Sequence, residues 1–243
     1  MRILLTVAYD GTKYFGWQRQ NDFVSIQETL EIALSKLFNK KILVIGASRT
    51  DTGVHAMGQR AVLDIETTIP LTNLPYAINN YLPKDIRVHK AMEVQENFHP
   101  QYDAKNKTYR YKIYNAPFQN PVLNSYTWHV PKKLDIEKMR EASKHILGEH
   151  NFSAFCASGA TSKTRVRTVY NLEIYKEDEM IFFDINGNGF LYNMVRIIAG
   201  TLVYVGIHKI SPSDIPKIIS SEERGKAGKT APPEGLTLMC INY

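Results

Sequence analysis

Cysteine is nearly absent from this chain: Cys156 and Cys240 are the only two in 243 residues, in unlike contexts and far apart. That excludes a disulfide scaffold and a cysteine-rich zinc site, and it makes a reducing compartment the default. Histidine is sparse as well, and none of the seven stands in an HxH or HExxH spacing, so no metal site can be read. Long uninterrupted apolar runs are missing too. The longest, "FLYNMVRIIAGTLVYVG" at 190–206, carries Arg196 near its middle. A bilayer-spanning helix would be penalised heavily for that charge, so a buried helix is expected instead. The N-terminal "MRILLTVAYDG" is too short an apolar run for a secretory signal and meets a charge at Asp10. These absences together predict a cytoplasmic protein with no membrane partner.

What is present is ordinary for a globular protein: 44% hydrophobic and 22% charged residues, in a chain long enough for one large domain or two small ones. The net charge of +6 and isoelectric point near 9.1 lean towards a polyanionic partner, because Lys and Arg neutralise phosphates.

Strand-like runs rich in β-branched residues occur at "ILLTVAY", "ILVIGA", "RAVLDIET" and "IRVHKAMEV". Between the first two, Ser25 and Glu28 form a capping box, and Ile26, Leu30, Ala33, Leu34 and Leu37 repeat with helical period. A shorter helix at "LTNLPYAINNYL" ends at Pro83. The order is β-α-β-β-α-β. The second half follows it again, from the alternating "KTYRYKIYN" and a helix capped by Asp135, through "TVYNLEIY", "MIFFDIN" and the apolar helix after Phe190, to "LTLMCIN". No sequence repeat links the halves. The expectation is an α+β protein of two ferredoxin-like (βαββαβ, RRM-like) halves, 1–104 and 105–243, with sheet flanked by helices. Such sheets often bind RNA but host much else.

In "GASRTDTGVHAMGQ" (46–59) a single carboxylate, Asp51, lies on a tight loop between Arg49 and Gly53. The residues allow a plain turn or a nucleophile kept ionised by its guanidinium neighbour, with His55 and Gln59 close in sequence. An aspartic protease would need a second Asp-Thr-Gly, and there is none. "GKAGKT" (225–230) resembles the end of a phosphate-binding loop, but Glu223 stands where the pattern needs glycine, and "APPEG" follows in place of a helix. A mobile basic loop is expected there. Tyr109 on its alternating strand is either core or a stacking platform. Arg196, among apolar neighbours, needs a partner, structural or catalytic. "SGATSKTRVR" (158–167), with Lys163, Arg165 and Arg167, is a solvated loop or a phosphate contact.

Four stretches carry a resemblance: "YDGTKYFGWQRQ" (9–20), "RTDTGVHAMGQ" (49–59), "FHPQYDAKNKTYRYKIYN" (98–115) and "FLYNMVRIIAGTLVYVG" (190–206), with "EGLTLMCINY" at the end. In that order they closely resemble the tRNA pseudouridine(38–40) synthase family, the tRNA-uridine isomerases. The resemblance implies the pseudouridine synthase fold and a cofactor-free, metal-free isomerase that acts on tRNA as a homodimer. It places the catalytic aspartate at Asp51, the active-site tyrosine, packed on the uracil, at Tyr109, and the arginine paired with the aspartate at Arg196. Arg49, His55 and Gln59 are then expected near the substrate, and Arg19, Gln20, Lys163, Arg165 and Arg167 on the RNA backbone. Ser48 stands where many relatives have glycine, and Tyr192-Asn193 where they often have histidines. A non-catalytic RNA-binding module on the same sheets is the competing reading, but it has no need of Asp51 with Arg196.

Overall fold

The computed structural model describes residues 1–160 and 162–243. In chain order the elements are β1 (Arg2–Tyr9), α1 (Ile26–Phe38), β2 (Ile45–Gly46), β3 (His55–Asp64), α2 (Leu74–Asn79), β4 (Ile86–Val94), β5 (Asn106–Tyr114), β6 (Trp128–His129), α3 (Ile136–Lys144), β7 (Gly148–Asn151), β8 (Val166–Glu177), β9 (Met180–Gly187), α4 (Met194–Gly206), α5 (Ile215–Ser221) and β10 (Leu236–Asn242). The chain forms two compact units, Met1–Lys105 with Thr237–Tyr243, and Asn106–Leu236.

In the first unit β1 is central, antiparallel to both β3 and β4. Only two residues of the predicted second strand pair with β3, at Val62 and Ala61. The other end of that edge of β3 is taken by β10, which runs parallel to it with Thr237 opposite His55. This is the β4-β1-β3-β2 order of a ferredoxin-like unit with one strand added. Helix α1 starts where its cap predicts: Ser25 Oγ accepts the Glu28 N–H at 3.2 Å. It buries Ile26, Leu30, Ala33 and Leu34 with Ile3, Leu5 and Val7 of β1 in the core.

In the second unit β5, β9, β8 and β7 lie side by side, each antiparallel to the next. The alternation in β5 is realised: Tyr109, Tyr111 and Ile113 are buried, opposite Ile185, Phe183 and Ile181 of β9. Strand β7, with the polar sequence GEHN, had no apolar alternation to announce it. Asp135 caps α3 as expected, its Oδ1 accepting the Lys138 N–H at 3.1 Å. The apolar run after Phe190 is a 13-residue helix, α4, in which eleven residues are buried. Among the described residues no helix is long and apolar enough to cross a membrane.

The segment expected to be a mobile basic loop is instead a strap laid on α4. Gly228 donates its N–H to Thr201 Oγ1 at 2.9 Å, and Arg224 ties it down through Gly228 O and Thr230 Oγ1. Glycines permit this contact, which the sequence pattern had no means of showing. A Cβ on Gly200 would stand 1.8 Å from Lys229 O.

Candidate active site

In the first unit the Asp51 loop is held from both sides. The Trp17 N–H donates to Thr50 O at 3.0 Å, and the Thr50 hydroxyl lies 2.7 Å from the Tyr9 hydroxyl. Gln59, fully buried, clamps Ser48 through both backbone groups: its Nε2 donates to Ser48 O at 2.6 Å and its Oε1 accepts the Ser48 N–H at 3.2 Å. The clamp engages Ser48 through its backbone groups, which a glycine at this position would also offer. The chain turns at once: Val54 N–H donates to Asp51 O at 3.1 Å, with Gly53 at φ 78°. Gly16 (φ 81°) allows the facing loop to pass closely, since a Cβ there would meet Thr50 O at 2.5 Å.

The loop is thus a turn, yet a turn would not require clamps on both flanks. These five hydrogen bonds, each contributing about 1 kcal/mol, hold the chain on either side of one half-buried carboxylate. His55 is buried too, with its Nδ1 accepting the Gly11 N–H at 3.1 Å and 3.2 Å from Asp10 Oδ1. His55 and Gln59 spend these polar atoms on the two loops. Arg49 lies exposed two residues before Asp51.

Tyr109 and Arg196 belong to the second unit. The Tyr109 ring is buried on β5 and meets Phe190 edge to face, centroids 5.3 Å apart. Arg196 lies in the first turn of α4. Asn193 adopts the left-handed conformation that asparagine tolerates (φ 59°) and accepts from Arg196 Nη1 at 2.8 Å, while Nε donates to Ala231 O at 2.8 Å. The Ala231 N–H returns a bond to Arg196 O at 3.1 Å, so the guanidinium is aimed by its own helix and by the strap. Neighbouring Tyr111 is pushed well above the usual tyrosine range, first by burial and then by Glu234, and its hydroxyl donates to Pro232 O.

The residues expected on RNA are less uniform. Arg19 donates to Glu31, a carboxylate only 3% exposed, so part of its task is to neutralise a buried charge. Gln20 Nε2 bonds Phe15 O at 2.9 Å. Arg165 folds into its own loop, onto Cys156 Sγ (3.1 Å) and Ser162 Oγ (3.0 Å). Lys163 is exposed. Sequence reasoning missed Trp17, Thr50, Phe190, Asn193 and the Ala231 carbonyl. Of these only Asn193 left a trace, an asparagine directly before a helical run.

The chain is an α+β protein with one carboxylate held on a clamped turn, and its match to a family model gives it the pseudouridine synthase fold. A family model described as "tRNA pseudouridine synthase" matches residues 5–103 and 142–243. Curated relatives called tRNA pseudouridine synthase A include one from Thermoanaerobacter sp. (strain X514), 49% identical over 241 residues, covering 99% of each chain. Another, from Ruminiclostridium cellulolyticum, is 49% identical over 243 residues and covers 100% of this chain and 99% of its own. A solved structure, titled "Crystal Structure of a Cbf5-Nop10-Gar1 Complex", aligns with 83% of this chain and 53% of its own at 12% identity and a TM-score of 0.36, too low to carry weight. The chain belongs to the tRNA pseudouridine synthase family.

Proposed function

We propose that this protein isomerises uridine to pseudouridine at positions 38–40 of the tRNA anticodon stem-loop, with Asp51 as nucleophile. Family membership supports the reaction class, and the doubly clamped Asp51 turn is the observation that carries the assignment of the nucleophile. The reaction breaks the N1–C1′ glycosidic bond, rotates the uracil and joins C5 to C1′; the C5 proton leaves and N1 gains one. No electrons are exchanged, so the chemistry requires no redox cofactor. Asp51 attacks the uracil ring or the ribose anomeric carbon, and a rigid loop reduces the reorganisation needed to reach either. Arg196 holds the carboxylate ionised and aimed; Tyr109, its ring braced by Phe190, packs on the uracil and assists removal of the C5 proton. Arg49 lies at the substrate beside Asp51, and His55 and Gln59 act there by shaping the loop.

A stem uridine must first be flipped out, at a cost of a few kcal/mol that phosphate contacts offset. Lys163, Arg167 and the exposed parts of Arg19, Gln20 and Arg165 supply these contacts, and a cytoplasmic homodimer would extend the basic surface. The test is Asp51→Asn, which keeps the shape of the side chain and removes the attacking anion. Release of tritium from tRNA labelled at uracil C5 should vanish, while tRNA affinity and melting temperature stay close to wild type. An Asp51→Asn protein that still releases tritium refutes the nucleophile.

A further inference from the structure

We propose that a lysine-lined cleft at the C-terminal end of α4, formed wholly within the second unit, grips the sugar-phosphate backbone of tRNA beyond the target uridine. This rests on the reading above that the protein acts on tRNA.

The cleft, of about 280 Å³, lies between the chain leaving β6 and the end of α4. Val130, Val203 and Ile207 give it apolar walls. Lys132, Lys209 and Lys229 line it as well, and no carboxylate is among its described lining residues. These lysines come from three separate stretches of chain: after β6, after α4, and on the strap laid over α4. Two of them are held in place by aromatic rings. The Lys229 Nζ lies 4.6 Å from the centroid of the Trp128 ring, and the Lys209 Nζ 5.0 Å from that of Tyr204. Their backbones are fixed too. The Lys209 N–H donates to Tyr204 O at 2.8 Å, and Lys229 stands between the Gly228–Thr201 bond and the Ala231–Arg196 bond of the strap.

The choice of ring over carboxylate points to the ligand. A carboxylate would neutralise a lysine, whereas a ring restrains the ammonium and leaves its charge and its N–H donors for an anion. Restraint also lowers the entropy that a long side chain loses on binding. The cleft is at the small end of ligand sites, which suits part of a polymer more than a whole cofactor. Its apolar walls suit a ribose, and its ammoniums suit the phosphates on either side of that ribose. The net charge of +6 and the family's substrate make RNA the polymer. Tyr204 follows Arg196 by eight residues in α4, about 12 Å along the helix, so the contact falls on nucleotides beyond the target. The basic "GKAGKT" segment thereby acquires a task through Lys229.

The test is ethylation interference on whole tRNA, in which one phosphate at a time loses its charge. Ethylating a phosphate outside the target nucleotide should weaken wild-type binding, and the same modification should have no effect on Lys209→Gln or Lys229→Gln. Each variant should bind unmodified tRNA about fivefold more weakly, with a log–log salt slope shallower by about one. Lys229→Arg should keep the wild-type pattern. Trp128 reports on the cleft directly, because the only other tryptophan, Trp17, is buried in the first unit. Titration with tRNA should change the emission of wild type and leave that of Trp128→Phe unchanged. Identical interference in wild type and both glutamine variants overturns the site. So does inorganic phosphate that shifts Trp128 emission where tRNA does not, which would make the cleft a small-anion site. A wild type that neither binds tRNA nor releases tritium from C5-labelled tRNA would instead overturn the functional reading.

Discussion

Replacing Gly200 by alanine sets two effects of opposite sign against each other. Gly200 lies inside α4, and on helix propensity alone alanine should stabilise the protein by about 1 kcal/mol. The added methyl, however, would stand 1.8 Å from Lys229 O and 2.9 Å from its carbonyl carbon, both backbone atoms. Reaching an ordinary contact takes a shift of about 1.5 Å in helix or strap, and overpacking on this scale costs about 1–3 kcal/mol. The strap carries the Gly228–Thr201 bond and the reciprocal Arg196–Ala231 pair. If it lifts, these three go as well, at about 1 kcal/mol each. With the strap lifted the net expectation is a loss of roughly 3–5 kcal/mol, a fall in Tm of about 6–20 °C for a chain this size. The protein should stay folded at 25 °C, because domains have roughly 5–15 kcal/mol in hand. Arg196 would then lose the carbonyl that aims its Nε, so tritium release at saturating tRNA should fall by about tenfold or more, with KM little changed. Thermal melting and tritium release on one preparation check both parts. A variant that melts at or above the wild-type temperature with full turnover would show that the strap neither resists the methyl nor positions Arg196.

Arg19→Met leaves the buried Glu31 carboxylate with the Val44 N–H and Gln27 Nε2 but without its cation, and should destabilise the protein by about 1–3 kcal/mol by urea titration; unchanged stability would return Arg19 to a role on RNA alone. Lys107 should also make the free protein's stability depend on pH. Burial first, and Arg167 second, pull its folded value down to about 8 from the ordinary 10.5, so between these pH values the unfolded chain still holds a proton that the folded chain has released. Its contribution to stability therefore rises with pH across that window, and the penalty is in full force below about 8. Lys107→Met should flatten the rise in urea midpoint between pH 8 and 10.5, and a wild-type midpoint that does not rise more than the variant's would contradict the assignment.

Much of the local structure was legible in the sequence because it is written at short range. Ser25 and Asp135 mark the starts of α1 and α3, since a cap needs only the N–H three residues on. The alternation of Tyr109, Tyr111 and Ile113 marks β5, because a strand's faces have period two. The Asp51 turn could be located from its residues, though whether it was only a turn could not be decided from them. Tertiary structure decided the rest, because the partners are distant in sequence and obey no period. Arg196 finds its carbonyl 35 residues away, in a segment whose composition suggested a mobile basic loop. Gly200 and Gly228 mattered for the side chains they lack, which allow a strap to touch a helix, and a sequence does not state what lies opposite an absent Cβ. The short β7 forms from polar residues because β8 offers it an edge, so pairing there follows geometry and not propensity.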